Sequence, residues 1–338
     1  MNKSIGTPTQ SRATASVLNR RAFEVSTALG VFGVGALAAT VLADWSPLPR
    51  LAALQGALPV AALAVAGAAV VAAALRSWRV AMGAGAVLAM CASVLIGPMT
   101  ADAAPAWTSG ATTVSVYGAN LWGNVSSASE AFVVAEWADA DIVFFSEYSH
   151  DARPALEASG LLEEYPHVVE TRRRDGNLLL SRLPIVESGF VNLLDSHSPS
   201  VVVEVDGRRV QIIGVHLSAP TSIGAMRHWA AQGIELERVT RGVETIAFGD
   251  FNSTPWNSVT RSLQASGFVD AHDAVGSALA RTWGKPVPVL NRRVAVLGID
   301  RAMSRGDGLA PLSVTSSHIP GSDHDAVRAV FAVRSAEE

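Results

Sequence analysis

Three apolar runs without one internal charge occupy the first hundred residues, at about 25–42, 51–75 and 80–99. Each is close to the ~20 residues that a helix needs to cross ~30 Å of hydrocarbon. A helix that is apolar all round is stable in lipid or deep inside a large protein, and three in succession argue for lipid. Their many Gly and Ala residues permit close helix packing there. The charge follows the same division. Residues 1–100 hold seven basic and two acidic residues, and residues 101–338 hold 19 basic and 28 acidic ones. The first part is therefore near +5 and the second near −9, so the chain consists of two different objects.

Basic residues set the expected orientation. Lys3, Arg12, Arg20 and Arg21 precede the first run, and Arg76 and Arg79 lie between the second and third. The other connections carry Asp44 with Arg50, and Asp102 with no base. The expected protein is a multi-pass membrane protein with a cytoplasmic N-terminus and its larger part outside the cell. The expected organisation is a cytoplasmic segment at 1–23, a three-span region at 24–100, a linker at 101–111 and a catalytic domain at 112–338. Trp45, Trp78 and Trp107 fall near span ends, where indoles favour the interface. The pair Arg20-Arg21 before an apolar run also has the form of a twin-arginine export signal, and cleavage there would leave the same final side. The single cysteine, Cys91, excludes an internal disulfide and a zinc site built from thiolates.

From about residue 112 the pattern becomes that of a packed domain. "TTVSVYGANLW", "DIVFFSEY", "NLLLSRLPIV", "SVVVEV", "RRVQIIGVHL" and "TIAFGDF" read as strands, as do "RRVAVLGIDRAMS", "LSVTSSHI" and "AVRAVFAV". "ASEAFVVAEWA" and residues 152–163 and 222–241 read as helices. Asp206-Gly207 suits a hairpin turn, and Pro255 suits the first turn of a helix. The expected class is α/β, two mostly antiparallel sheets packed as a sandwich and flanked by helices, preceded by three transmembrane helices.

The polar residues at the ends of these strands carry the chemistry. Asn120, Glu147, His216, Asp250, Asn252 and Asp300 each follow an apolar stretch, and Asp323 and His324 precede the last one. Taken singly, each has an ordinary reading as a solvated edge, a core histidine or a turn. As a set rich in carboxylate and imidazole and free of cysteine, they suit a hard cation such as Mg2+. They also suit attack of water on phosphorus, which needs charge neutralisation, a positioned water and a protonated leaving group.

The motifs "GANLWGN", "DIVFFSEY", "GVHLS", "GDFNSTPW", "GID" and "GSDH", in this order, resemble those of the endonuclease/exonuclease/phosphatase (DNase I-like) superfamily. That resemblance implies the two-sheet DNase I-like sandwich and a phosphoester hydrolase. It implies Glu147 as main metal ligand with Asn120 beside it, and Mg2+ or Mn2+ as the ion. It implies that Asp250 positions or deprotonates the attacking water and that Asn252 donates to a phosphate oxygen. His216 and His324 would contact the scissile phosphate, with Asn120 also in the substrate site. Asp323 would share the site with His324, and Asp300 would orient that imidazole. Three positions depart from the usual pattern: Ser146 stands where Gln is common, Arg301 where His is common, and Asp325-Ala326 where a basic residue and Pro are common. Arg301 and Asp325 are expected to alter charge near the site.

A net-negative domain disfavours a duplex nuclease, which gains affinity from a basic surface. Arg172, Arg173 and Arg174 form the only basic cluster, either a solvated loop or a headgroup contact. A short tether to the membrane keeps lipid-borne phosphate at high effective concentration. This arrangement resembles a membrane-anchored bacterial branch that includes the VanJ-like proteins of glycopeptide resistance. The likeness implies a lipid-linked phosphate substrate such as undecaprenyl pyrophosphate. An extracytoplasmic nuclease, another lipid phosphodiesterase or sugar-phosphate phosphatase, and a non-catalytic phospholipid binder are the alternatives. No protein partner is evident from the sequence.

Overall fold

The computed structural model describes residues 8–46, 48–171, 176–287 and 292–337. The basic cluster Arg172 to Arg174 lies outside these residues. The chain divides into two compact units, Met1–Ala43 with Ala57–Leu95, and Asp44–Gly56 with Ile96–Glu338. Four helices precede the first strand: α1 (Pro8–Leu42), α2 (Pro49–Gly56), α3 (Leu58–Ala74) and α4 (Trp78–Met99).

In the first unit, Val31, Val65 and Ala84 form the buried contact among the helices, joined by Val34, Ala69, Val87 and Leu88. Ser77 donates to Glu24 at 2.6 Å, so the one acidic residue of this unit has a partner beside Arg20. Among the described residues, two helices are long and apolar enough to cross a membrane, Asn19–Leu42 and Trp78–Met99, or three if α2 and α3 count as one span. The apolar run expected to be one helix at 51–75 is interrupted at Ala57. Pro59 explains the restart, because a proline in the first turn of α3 loses no intrahelical hydrogen bond. The short piece α2 belongs to the second unit.

The second unit runs β1 (Thr112–Asn120), α5 (Val125–Ala138), β2 (Ile142–Tyr148), α6 (Arg153–Ala158), α7 (Leu161–Glu164), β3 (His167–Glu170), β4 (Gly176–Ser181), β5 (Ile185–Leu193), β6 (Ser196–Val205) and β7 (Arg208–His216). It continues with α8 (Ile223–Val239), β8 (Thr245–Asp250), α9 (Ser258–Ala265), β9 (Phe268–Asp270), α10 (Ala271–Ala274), β10 (Pro286–Val287), β11 (Arg292–Arg293), β12 (Asp300–Arg305), β13 (Leu309–His318) and β14 (Asp325–Val333). Two six-stranded sheets result, in the orders β13-β14-β1-β2-β4-β3 and β5-β6-β7-β8-β12-β9. Among the described residues, only β1/β2 and β7/β8 pair in parallel within them.

Alternation along the strands explains the layers. Ile142 and Phe144 point into the core shared by both sheets, while Val143 and Phe145 point to the helices of the outer face. Phe144 meets Phe248 of the opposite sheet edge-to-face at 5.9 Å. Phe132 of α5 meets Phe145 in the same manner at 5.2 Å. On the other side, Trp229 of α8 and Val259 of α9 cover Ile213, Val215 and Ala247.

The sandwich agrees with the expected class, and local details differ. "NLLLSRLPIV" is two strands, broken before Pro184, which cannot donate to a ladder. Residues 294–299 lie outside the strand that begins at Asp300. The helix after Pro255 starts at Ser258, with Pro255 in the preceding turn. The Asp206-Gly207 turn has positive φ at both residues, 50° and 74°, as a tight hairpin requires.

Gly249 is a point of close approach beneath the site. Its φ is +130°, and a Cβ there would stand 2.3 Å from the carbonyl oxygen of Val215. Gly249→Ala is expected to cost about 3 kcal/mol or more, from backbone strain plus overpacking. Thermal unfolding of the full-length protein in detergent, followed by near-UV circular dichroism, checks this. An unchanged midpoint would mean that the sheets have room to part here.

Candidate active site

Strand register brings three groups side by side. His216 ends β7 opposite Asp250, the last residue of β8, and Asp250 is opposite Asp300, the first residue of β12. The second sheet therefore presents an imidazole and two carboxylates along one end. The first sheet supplies Asn120 at the end of β1 and Glu147 near the end of β2. Glu147 has φ +51°, where the β2/β4 register is interrupted. That kink re-aims its side chain, a common use of a strand irregularity.

All of these groups converge on Asp250, which is 2% exposed. Its Oδ2 accepts from Asn120 Nδ2 at 3.0 Å and from Asn252 Nδ2 at 3.2 Å. His324 Nε2 lies 3.8 Å and His216 Nε2 4.0 Å from the same oxygen. Asn120 Nδ2 also donates to Glu147 Oε1 at 3.0 Å, and His216 Nε2 stands 3.7 Å from that atom. The carboxamide of Asn120 thus clasps two carboxylates that would otherwise repel.

Asp250 and Asn252 do not share a face by strand alternation. Asn252 has φ +48°, a left-handed conformation that Asn tolerates. The turn brings its backbone N–H to Asp250 Oδ1 at 2.8 Å. Its side-chain nitrogen also donates to the Leu217 carbonyl at 2.8 Å. In this structure Asn252 therefore holds Asp250 and the loop after β7.

His324, 5% exposed, is oriented by Asp300, whose carboxylate lies 2.8 and 3.1 Å from Nδ1. Nε2 is left facing Asp250 Oδ2 and Asp323 Oδ1, each at 3.8 Å. These gaps are too long for direct hydrogen bonds and suit one bridging atom. Among the described residues, Asp323 Oδ1 is buried without a hydrogen-bond partner, whereas its other oxygen accepts from Trp283 Nε1 at 3.0 Å.

Sequence reasoning missed the supports of this cluster. Thr282 Oγ1 receives the backbone N–H groups of Ile299 and Asp300, fixing the start of β12. Ser322 Oγ donates to the Asn120 carbonyl and accepts from the His324 N–H, tying the approach to β14 to the end of β1 within the first sheet. These residues precede no recognisable strand end, and "GSDH" alone hinted at Ser322. The expectation that Arg301 and Asp325 alter charge in the site is corrected. Arg301 is 1% exposed and paired with Asp270 and Asp273, since the residue after Asp300 points to the opposite face. Asp325 pairs with Arg293.

The model of the endonuclease/exonuclease/phosphatase family matches residues 119–324, more than half of the chain. The chain belongs to this family. No curated protein matches its sequence. Solved structures share the fold at low identity. D. rerio TDP2 in complex with single-strand DNA product is 15% identical, covering 66% of this chain and 100% of its own, with a TM-score of 0.54. TDP2 from C. elegans, in a truncated form, is 17% identical over 65% of this chain and 98% of its own, with a TM-score of 0.51. A family protein from Bacteroides thetaiotaomicron is 13% identical over 66% of this chain and 98% of its own, with a TM-score of 0.52.

Enzymes of this family are generally dependent on a divalent metal, and the donors present fit one. Glu147 and Asp250 flank the same carboxamide, and Asp323 keeps an unpartnered buried oxygen, an acceptor-rich set that suits a hard cation. The ligand atoms of Asp250, Asp300 and His324 also lie within 4.8 Å of one another. His324 Nδ1 is already engaged by Asp300, so only its Nε2 is open to the site. The Oδ1 of Asn120 accepts from the Trp122 N–H at 2.9 Å, so here Asn120 supports Glu147 through its nitrogen.

Burial raises the Asp250 carboxyl to about 6, with Asp300 adding to the rise and both imidazoles opposing it. Burial depresses His324, but Asp300 and Asp250 outweigh it and push the imidazole up to about 10. Near neutral pH the pair is therefore carboxylate and imidazolium. Activity requiring both is expected to fall below about pH 6 and above about pH 10. Asp300→Asn removes a charge that raises both groups, so both limbs of the kcat/KM profile should move to lower pH. Limbs that stay in place would separate Asp300 from the titration.

Proposed function

We propose that this chain is a divalent-metal-dependent hydrolase of a lipid-borne phosphoester or pyrophosphate, such as undecaprenyl pyrophosphate, acting at the outer face of the membrane. The observation that supports it is a full set of hydrolytic groups converging on Asp250 in a chain that also carries membrane-length apolar helices. Only residues 100–111 separate α4 from the first strand of the sandwich.

Hydrolysis here joins a water oxygen to phosphorus and breaks the phosphorus–oxygen bond to the leaving group. Asp250 is ionised near neutral pH and basic enough to orient the water and accept its proton. Asn120 and Asn252 hold that carboxylate in place. His324, fixed by Asp300, donates to phosphate oxygen as negative charge develops, and His216 faces the same space. Glu147, with Asn120 beside it, would hold the divalent ion, which supplies charge neutralisation at the phosphate. The resemblance to the VanJ-like branch, with its part in glycopeptide resistance, is what suggests a prenyl pyrophosphate among lipid-borne phosphates.

Full-length protein in detergent with Mg2+ should release phosphate from undecaprenyl pyrophosphate and stop on addition of EDTA. Glu147→Gln should lower kcat/KM by roughly 100-fold or more while leaving the circular dichroism spectrum unchanged. A phosphodiester lipid and single- and double-stranded DNA belong in the same panel. Cleaved DNA with untouched lipids would reject the lipid reading. Folded Glu147→Gln protein with full activity would reject the site.

Orientation rests on the basic residues flanking the apolar runs. In a Cys91→Ser background, cysteine placed by Ser335→Cys should react with a membrane-impermeant maleimide in intact cells. Labelling only after lysis would put the catalytic unit inside.

A further inference from the structure

A cavity of about 190 Å3 adjoins the catalytic cluster and is bounded partly by α2, the short helix between α1 and α3. Ala52 and Ala53 face it from α2, and Pro220, Leu297 and Ile299 face it from the sandwich. Two further lining residues belong to the site already described. Asn252 donates to Asp250, and Trp283 donates to Asp323. The cavity therefore begins where the phosphate-handling groups end.

Among the described residues, the lining contains no charged one. Its polar side chains are largely consumed by the protein itself. Asn257 Oδ1 accepts from Thr254 N and Oγ1, both at 2.8 Å. Asn257 Nδ2 donates to the Ala52 carbonyl at 2.9 Å and to Gln55. Asn252 and Trp283 are committed as above. What the cavity offers an occupant is apolar surface, which suits hydrocarbon and does not suit a nucleoside or sugar that needs unmet donors and acceptors.

The seating of α2 is built in detail. Asn257 and Gln55 are buried at 3% and 1%, and Asp44 lies 3.6 Å from Arg261. Gly56 permits the approach, since a Cβ there would stand 2.8 Å from Leu297 and 2.9 Å from Thr254. A helix serving only as a connection between apolar helices needs no such fit.

Resting on the lipid-phosphate reading, we infer that this cavity receives the first part of the substrate's hydrocarbon chain, with α2 as one wall. The occupant is a lipid, because the wall comes from the stretch of chain that joins two apolar helices, while the other end of the cavity meets the hydrolytic groups. The volume is below the ~300 Å3 at which ordinary ligand pockets begin, so only the portion next to the phosphate enters.

The test uses the full chain in detergent with Mg2+ and a polyprenyl methylenebisphosphonate bearing a diazirine on its first isoprene unit. Photolabel should map to α2 and to residues 219–221. Ala53 is exposed, so Ala53→Trp can fill the mouth without disturbing the fold, and it should lower that label by about tenfold. Ala53→Met should lower it less. Label confined to α1, α3 and α4, or label unaffected by Ala53→Trp, would overturn the inference. Labelled α2 in a protein that leaves the matching prenyl pyrophosphate intact keeps the chain site and rejects the hydrolase reading. Hydrolysis with unlabelled α2 does the reverse.

Discussion

The site is organised around one buried carboxylate. Asp250 accepts from two carboxamides and stands about one bridging atom from two imidazoles. A carboxylate removed from water is costly unless it is compensated. The neighbours that compensate it are also the groups that hydrolysis requires. Asn120 is decisive, because its single nitrogen serves Asp250 and Glu147 together and so joins the ends of the two sheets. Losing that clasp would leave two carboxylates facing each other with one fewer donor between them.

Rigidity of this arrangement comes from register. β7, β8 and β12 end in line at His216, Asp250 and Asp300, so their spacing is set by the sheet and not by loops. Ser322 repeats this principle within the first sheet, with one hydroxyl fixing the carbonyl of Asn120 at the end of β1 and the N–H of His324 before β14. The buried Arg301 serves a different purpose. It neutralises Asp270 and Asp273 on the opposite face of β12, which keeps its charge out of the catalytic cluster.

Much of this was legible in the sequence, because period-two strands reveal where a chain leaves a sheet. Asn120, Glu147, His216 and Asp250 stand at such exits, Asp300 and His324 stand where strands begin, and the structure gathers them. What could not be read depends on backbone conformation or long-range pairing. Asp250 and Asn252 are brought together by a left-handed turn at Asn252, which strand periodicity does not record. Thr282 and Trp283 act across gaps of 18 and 40 residues, and nothing local marks either one. The apolar run at 51–75 read as one span because composition carries no record of a break, although Pro59 was a fair sign of a new first turn.

That break changes what the N-terminal region can do. A continuous second helix would carry α2 wholly with the apolar helices. Interrupted at Ala57, the chain instead groups α2 with the sandwich, where Asn257 holds the Ala52 carbonyl. Asn257 lies five residues beyond Asn252 in the same loop, so the contact that fixes α2 and the contact that fixes Asp250 share one short stretch of backbone. Small residues are then needed on α2 itself. Bulk at Gly56 would meet Leu297 and Thr254, and bulk at Ala52 or Ala53 would enter the cavity beside Asn252. The Ala-rich composition of this segment, which first read as packing in lipid, is equally what a wall beside a reacting phosphate would demand.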